Sequence, residues 1–299
     1  MEVIRYLHKS KGKVETEKVY GERWLRLIYG NPLGKILLWT SVKRTWFSRW
    51  YGWRMSRSSS KSKILPFIKK YNLDTSEFNS STESFHSFND FFSRKLKPSA
   101  RPISEEVDSA IFPADGRHLG YQDISNIDGF FVKGQKLNLH SLLKSEGLTE
   151  RFTEGTLVIS RLCPVDYHRF HFPVSGELIS IKNINGSLFS VNPLAIKKAI
   201  SIFWRNKRVL TILDSQKFGQ IACILVGATC VGSISIEKKG GTKFLKGDEL
   251  GYFSFGGSCV MTLFEKGKVQ LSNDLIDYSK QGMEVFAKMG QSMAKLNHK

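Results

Sequence analysis

Beyond about residue 108 the apolar residues fall into short β-rich runs separated by Gly, Asn or Asp. The runs are 155–160, 176–181, 208–213, 219–226, 231–236 and 257–264. Runs of this length bounded by turn residues predict strands. A short helix is predicted near 192–204, between two of them. Residues 64–100 read as helix and loop, with Ser87 placed to cap a helix that begins at Phe88. At the C-terminal end Met283, Phe286, Met289, Met293 and Leu296 recur at helical spacing, which predicts a helix packed on the core and tying the end of the chain to the body. The loop 56–62, Ser-Arg-Ser-Ser-Ser-Lys-Ser, reads as polar and mobile.

This pattern predicts an α+β fold: an N-terminal helical membrane-associating region followed by a mainly antiparallel β catalytic domain. The expected division is 1–62, a basic Trp-rich region; 63–107, a helical connection; and 108–299, the catalytic domain. The turn Lys246-Gly247-Asp248-Glu249 and the pair Gly176-Glu177 are similar to the hairpin turns of barrel-sandwich folds.

Charge sharpens the reading of the first third. The chain of 299 residues carries a formal charge of +18, which calls for an anionic partner. From Arg23 to Lys70 every ionised side chain is basic, and Trp24, Trp39, Trp46, Trp50 and Trp53 lie among them. Tryptophans and cations beside an apolar helical face suit a helix lying in the plane of an anionic membrane surface. The longest uncharged apolar run, Ile36 to Val42, is far short of the roughly 20 residues needed to span a bilayer. No RRM, OB or helix-turn-helix pattern accompanies the basic stretch, so nucleic acid is not the expected partner. Cys163, Cys223, Cys230 and Cys259 have no paired spacing and no signal-peptide pattern opens the chain, which points to reduced thiols in the cytoplasm. Together these predict a peripheral protein on the cytoplasmic face of the cell membrane.

The chemistry centres on Gly256-Gly257-Ser258, set between two apolar runs. A serine behind two glycines has little steric cover, so its hydroxyl can attack the Gly257 carbonyl and turn the amide into an ester. Loss of the Ser258 α-proton would then expel the glycine carboxylate and leave dehydroalanine, which hydrolyses to a pyruvoyl group at the start of a new chain. Such a step needs a base. The candidates are His168 and His171 in Asp166-Tyr167-His168-Arg169-Phe170-His171, which point to opposite faces of a strand but can converge in a turn. An orienting carboxylate is also wanted, and Asp115 in Pro113-Ala114-Asp115-Gly116 and Asp166 compete for that role. The His-x-x-His spacing lacks the companion motifs of a zinc site, so no metal is expected.

Several segments in order resemble the signature segments of the phosphatidylserine decarboxylase family. They are Phe112 to Gly116, Asp166 to Pro173, Val226 to Ile234, Lys246 to Phe253 and Phe255 to Ser258, preceded by Ser87 to Lys97 with Arg101-Pro102-Ile103 and accompanied by Asn192-Pro193. The resemblance runs from about residue 64 to the C-terminus. It implies that Ser258 becomes the pyruvoyl cofactor, Gly257 ends the larger β chain, and 258–299 forms the α chain. It implies further that His171 and Asp115 complete a protease-like triad for the single self-cleavage, while His168 serves decarboxylation. The substrate implied is phosphatidylserine, whose amine would be captured by the pyruvoyl ketone and whose carboxylate would leave as CO2, giving phosphatidylethanolamine. Anionic lipids and self-association into a homodimer are implied as partners. The family usually has Thr or Ser after the serine where this chain has Cys259, a change that leaves the nucleophile intact. Two alternatives remain at this stage: a pyruvoyl decarboxylase of another amine-bearing carboxylate, and an unprocessed membrane-binding homologue.

Overall fold

The computed structural model describes residues 4–125, 136–229, 233–256 and 258–298. Gly257, Cys230 and the first two residues of the strand expected at 231–236 lie outside the described residues.

Along the chain, strands Arg5–His8 (β1) and Lys13–Thr16 (β2) precede helices Glu22–Gly30 (α1), Pro32–Leu37 (α2), Thr45–Met55 (α3), Ile64–Tyr71 (α4) and Phe88–Phe92 (α5). Then follow Ser109–Ile111 (β3), Gly116–Tyr121 (β4), Thr156–Leu162 (β5), Arg169–His171 (β6), Gly176–Ile184 (β7), Arg208–Ser215 (β8) and Gly219–Val226 (β9). The remaining strands are Ile234–Ile236 (β10), Thr242–Phe244 (β11), Glu249–Phe253 (β12), Ser258–Phe264 (β13), Val269–Leu271 (β14), Glu284–Ala287 (β15) and Ser292–Leu296 (β16), with a helix at Asn273–Lys280 between β14 and β15.

Ten strands form one sheet in the order β11-β7-β8-β9-β13-β5-β4-β15-β1-β2. Every pairing in it is antiparallel except β1 with β15. Two three-stranded sheets, β10-β12-β6 and β14-β16-β3, complete the β structure. The α+β class therefore holds. No sheet among the described residues closes on itself, so the likeness to barrel-sandwich turns does not extend to a barrel.

β13 lies in the middle of the large sheet, between β9 and β5, and is buried on both faces. Cys259, Met261 and Leu263 pack into one core, while Val260 and Phe264 pack into the other. Double burial explains why this strand reads as a continuous apolar run. A third, aromatic core joins Phe67, Phe78, Phe85, Phe88, Phe91, Phe92 and Phe255. Ser87 Oγ accepts the Asp90 N–H at 3.2 Å, as an N-cap of α5 does.

The structure corrects several local expectations. The C-terminal stretch is not a helix: it forms β15 and β16, divided by Gly290 in a left-handed conformation at φ 91°. β15 fills the gap between β4 and β1, and pairing in that sheet outweighs the helical spacing of Phe286 with the methionines on either side of the strand. Residues 58–63 form a 3-10 turn rather than a mobile loop, because Ser60 is buried, donates to Met55 O at 2.8 Å and accepts the Phe88 N–H at 2.9 Å. The helix near 192–204 is two single turns, Pro193–Ile196 and Ile202–Arg205. The basic Trp-rich stretch is not one amphipathic helix: Asn31 caps α2 with Pro32 at its first position, and a π-helical turn at 38–42 divides α2 from α3.

Candidate active site

Ser258 opens β13 opposite Leu162 of β5, with no exposed surface. Gly256, two residues before it, has φ 134°, a conformation that L side chains rarely adopt, so a glycine is required there. The approach to Ser258 is held by Phe255, whose ring meets Phe92 at 4.9 Å, Phe88 at 5.1 Å, Tyr51 at 5.6 Å and Tyr20 at 6.1 Å. Its backbone N–H donates to Asn89 Oδ1 at 2.8 Å. α5 thus grips the segment next to the expected cut through one hydrogen bond and a set of ring contacts.

His168 stands beside Ser258. Its Nδ1 lies 3.2 Å from Ser258 Oγ, and its Nε2 lies 2.8 Å from the Cys163 carbonyl oxygen. A carbonyl can only accept, so Nε2 carries the ring proton and Nδ1 presents its lone pair to the serine hydroxyl. Phe92 stacks on the imidazole with centroids 4.0 Å apart, which fixes the ring plane. Burial pushes the His168 pKa down to about 3, and the Arg94 charge adds to that, so the ring is neutral throughout the physiological range.

The turn that carries the Cys163 carbonyl is itself locked. Asp166 N–H donates back to Cys163 O at 2.9 Å, and Cys163 N–H donates to Asp166 Oδ2 at 2.6 Å. Arg117 Nη1 donates to the same carboxylate oxygen at 2.5 Å. Burial raises the Asp166 pKa, opposed mainly by Arg117.

The expected hydrogen-bonded line Asp115–His171–Ser258 is not formed, and this corrects the sequence-based arrangement. Asp115 receives Arg101 Nε at 2.8 Å and Nη2 at 2.6 Å, together with the Met289 N–H at 2.9 Å. These donors, not a histidine, occupy its carboxylate. His171 meets the Asp115 turn through the main chain, its backbone N–H donating to Pro113 O at 2.7 Å. Its Nδ1 is buried with no hydrogen-bond partner among the described residues. Burial lowers the His171 pKa to about 4.

A cavity of about 580 Å³ with mainly apolar walls opens beside Gly256 and Leu162, the strand partner of Ser258. Leu162, Cys163 and Gly256 line its inner end, and Trp24, Trp50 and Tyr51 line the helical side. Trp24 on α1 is 67% exposed and Trp46 on α3 58%, and Trp53 on α3, Leu33 and Ile36 on α2 and Trp39 in the π-helical turn are exposed too. No helix among the described residues is long and apolar enough to cross a membrane.

Sequence reasoning missed Asn89, Phe92 and Phe255 as parts of the site, although the segment containing Asn89 and Phe92 stood out as a motif. It also missed Glu17 and Arg161, which line the same cavity. Nothing in the local sequence distinguishes Glu17 from a surface acid.

Comparison with known proteins bears on this geometry. A family model described as phosphatidylserine decarboxylase matches residues 88–295. The chain is 45% identical over 290 residues to a phosphatidylserine decarboxylase proenzyme of Fusobacterium nucleatum, covering 97% of each chain. It is 42% identical to the proenzyme of that name from Chlamydia caviae, covering 99% of each, and 40% identical to one from Clostridium botulinum, covering 97% of this chain and 99% of that one. The chain belongs to the phosphatidylserine decarboxylase family.

The family match spans Asp115, His168, His171 and Ser258, and so includes every catalytic position expected from the sequence. The alignments with whole relatives extend over nearly the full length of the chain, 97% with the Fusobacterium protein and 99% with the Chlamydia one.

Proposed function

We propose that this chain is a proenzyme that cuts itself between Gly257 and Ser258 and then converts phosphatidylserine to phosphatidylethanolamine and CO2. The observation that carries the reading is the 3.2 Å approach of His168 Nδ1 to a buried Ser258 Oγ beside an apolar cavity.

In the precursor His168 accepts the Ser258 hydroxyl proton in a hydrogen bond and so fixes where Oγ points. His171 serves the cleavage step. In its favour stand the family resemblance and a buried Nδ1 with no hydrogen-bond partner among the described residues. A buried polar atom left unpaired costs about 1–3 kcal/mol, a cost that a functional role would account for. Asp115 acts through the turn that bears Pro113, held by Arg101 and Met289, rather than by touching the imidazole.

Ser258 fits conversion to a pyruvoyl group, since its side chain is buried, lies against a neutral ring nitrogen and stands two residues from Gly256, which lines the cavity. That group, once formed, supplies a ketone that receives the substrate amine and the electrons left by CO2. His168 then has Nδ1 free of the lost hydroxyl. It takes the proton that the substrate ammonium must shed and returns it to the carbon that CO2 has left. Phe92 and Phe255 keep bulk water from this end of the cavity.

The exposed tryptophans and the basic helices support peripheral attachment to an anionic membrane, with the cavity walls formed by the same helices. Each basic residue near such a surface contributes about 1 kcal/mol. Denaturing mass spectrometry of purified protein tests the reading. Two chains divided after Gly257, the smaller one lacking a free amino terminus, together with CO2 release from phosphatidylserine, are expected. A single uncut 34 kDa species that decarboxylates phosphatidylserine would overturn it.

A further inference from the structure

Arg161 lies on β5 directly opposite Cys259, the residue after Ser258, and it lines the cavity while only 2% exposed. Each of its five N–H groups has an acceptor. Nε donates to Glu284 Oε1 at 2.9 Å and Nη2 to Glu284 Oε2 at 2.6 Å. Nη2 also donates to Glu17 Oε2 at 2.5 Å, and Nη1 donates to Glu17 Oε1 at 3.3 Å and to Cys163 Sγ at 2.9 Å. Glu17 therefore occupies two of the five donors, and it does so from the far N-terminal end of the chain. It follows β2, its own N–H donating to Ile4 O at 2.9 Å, so the β1–β2 hairpin delivers it. A second arginine, Arg117, places Nε 3.4 Å from Glu17 Oε2. Glu17 lines the cavity beside Arg161, within the space where substrate must sit.

We propose that Glu17 is a positioning residue that shields Arg161 from the substrate's anionic groups. The inference rests on the decarboxylase reading above. Phosphatidylserine brings a carboxylate and a phosphodiester into the cavity. A guanidinium with two free N–H groups at its wall would pair with the carboxylate in a bidentate geometry, the strongest such pairing available. That pairing holds the negative charge on the group that must give it up, so it stabilises the bound ground state more than the transition state. With Glu17 present, Arg161 is saturated and serves as a wall. The hairpin β1–β2 is thus part of the active site, and its docking against β15 delivers the shield.

The test compares mature wild-type enzyme with Glu17→Ala and Glu17→Gln on phosphatidylserine in mixed micelles, reading kcat and KM separately. Loss of the shield lowers both: kcat falls by about tenfold or more and KM falls with it, the pattern left when a device against overly tight ground-state binding is removed. Glu17→Gln, which keeps one acceptor and loses the charge, falls between. Because Glu17 faces the cavity, added acetate, which matches the atoms removed in Glu17→Ala, raises its kcat toward wild type. A variant with reduced kcat, raised KM and no response to acetate would show that Glu17 is only a structural strap and would overturn the proposal. Wild-type constants in both variants would overturn it as well. Should Glu17→Ala fail to mature, expression in acetate is the readout, with recovery supporting the proposal and no recovery in either variant refuting it. Inactive wild-type enzyme would instead overturn the decarboxylase reading itself.

Discussion

His168 divides its two ring nitrogens between Ser258 Oγ at 3.2 Å and the Cys163 carbonyl at 2.8 Å. The carbonyl sets the tautomer, and the tautomer makes Nδ1 an acceptor for the serine. Replacing Ser258 by alanine removes the only group in this pairing that can become an ester. Ser258→Ala is expected to remain one chain on a denaturing gel and to release no CO2, and a cut product from that variant would refute self-cleavage at this position.

The two histidines are expected to separate. His171→Ala leaves the precursor uncut, whereas His168→Ala still yields the two chains but loses about 10²-fold or more in turnover per mature α chain, the scale of a positioned proton-transfer group. Mass spectrometry for cutting and CO2 release for turnover read the two steps independently. The reverse pattern would make His168 the cleavage base and remove His171 from that role.

Three buried histidines set a pH dependence with a definite sign. Burial lowers His118 and His168 to about 3 and His171 to about 4, against 6.5 when exposed. The unfolded chain therefore binds protons in this range that the folded chain does not. Stability is full above the unfolded value near pH 6.5 and falls as pH drops toward 4, by up to about 1.4 kcal/mol per pH unit for each histidine. Glu17, held down to about 2 by Arg161 and Arg117 against its burial, adds to the loss below pH 4.5. Urea midpoints are expected to change little from pH 7.5 to about 6.5 and to decline from there to pH 5. A midpoint independent of pH across that range would contradict neutral buried rings.

Phe92 joins α5 to both the imidazole and Phe255. Its truncation to alanine opens a cavity in a fully buried position, with an expected loss of about 3–5 kcal/mol of stability. Turnover should fall further than the unfolded fraction explains, because the His168 ring plane is no longer fixed. Thermal unfolding and activity measured on the same sample decide this; activity that tracks the folded fraction alone would show that the stacking has no catalytic consequence.

The tryptophan helices can be tested without chemistry. Trp39→Ala with Trp50→Ala should weaken partition onto phosphatidylglycerol vesicles by about tenfold or more, from the loss of apolar area alone. Added salt should weaken the wild type through its basic residues. Sedimentation with vesicles measures both, and partition unchanged by the double substitution would place the contact surface elsewhere.

The runs 155–160, 208–213, 219–226 and 257–264 were legible as strands because a strand buried on both faces reads as a mainly apolar run between turn residues. The candidate nucleophile Ser258 was legible too, since Gly-Gly-Ser between two apolar runs is a local feature of the sequence. The helical spacing of Met283 to Leu296 misled, because the vacant position between β4 and β1 that draws β15 into the sheet is not written in those residues.

The sequence by itself determined which serine, histidines and basic aromatic stretch to single out as candidates, because each depends on residue type within a few positions. Only the tertiary structure decided that His168 rather than His171 meets Ser258, that Asp115 answers to Arg101, and that Glu17 reaches Arg161 across 144 positions of chain. Those pairings depend on sheet order and register, which fix distances between segments that no local pattern relates.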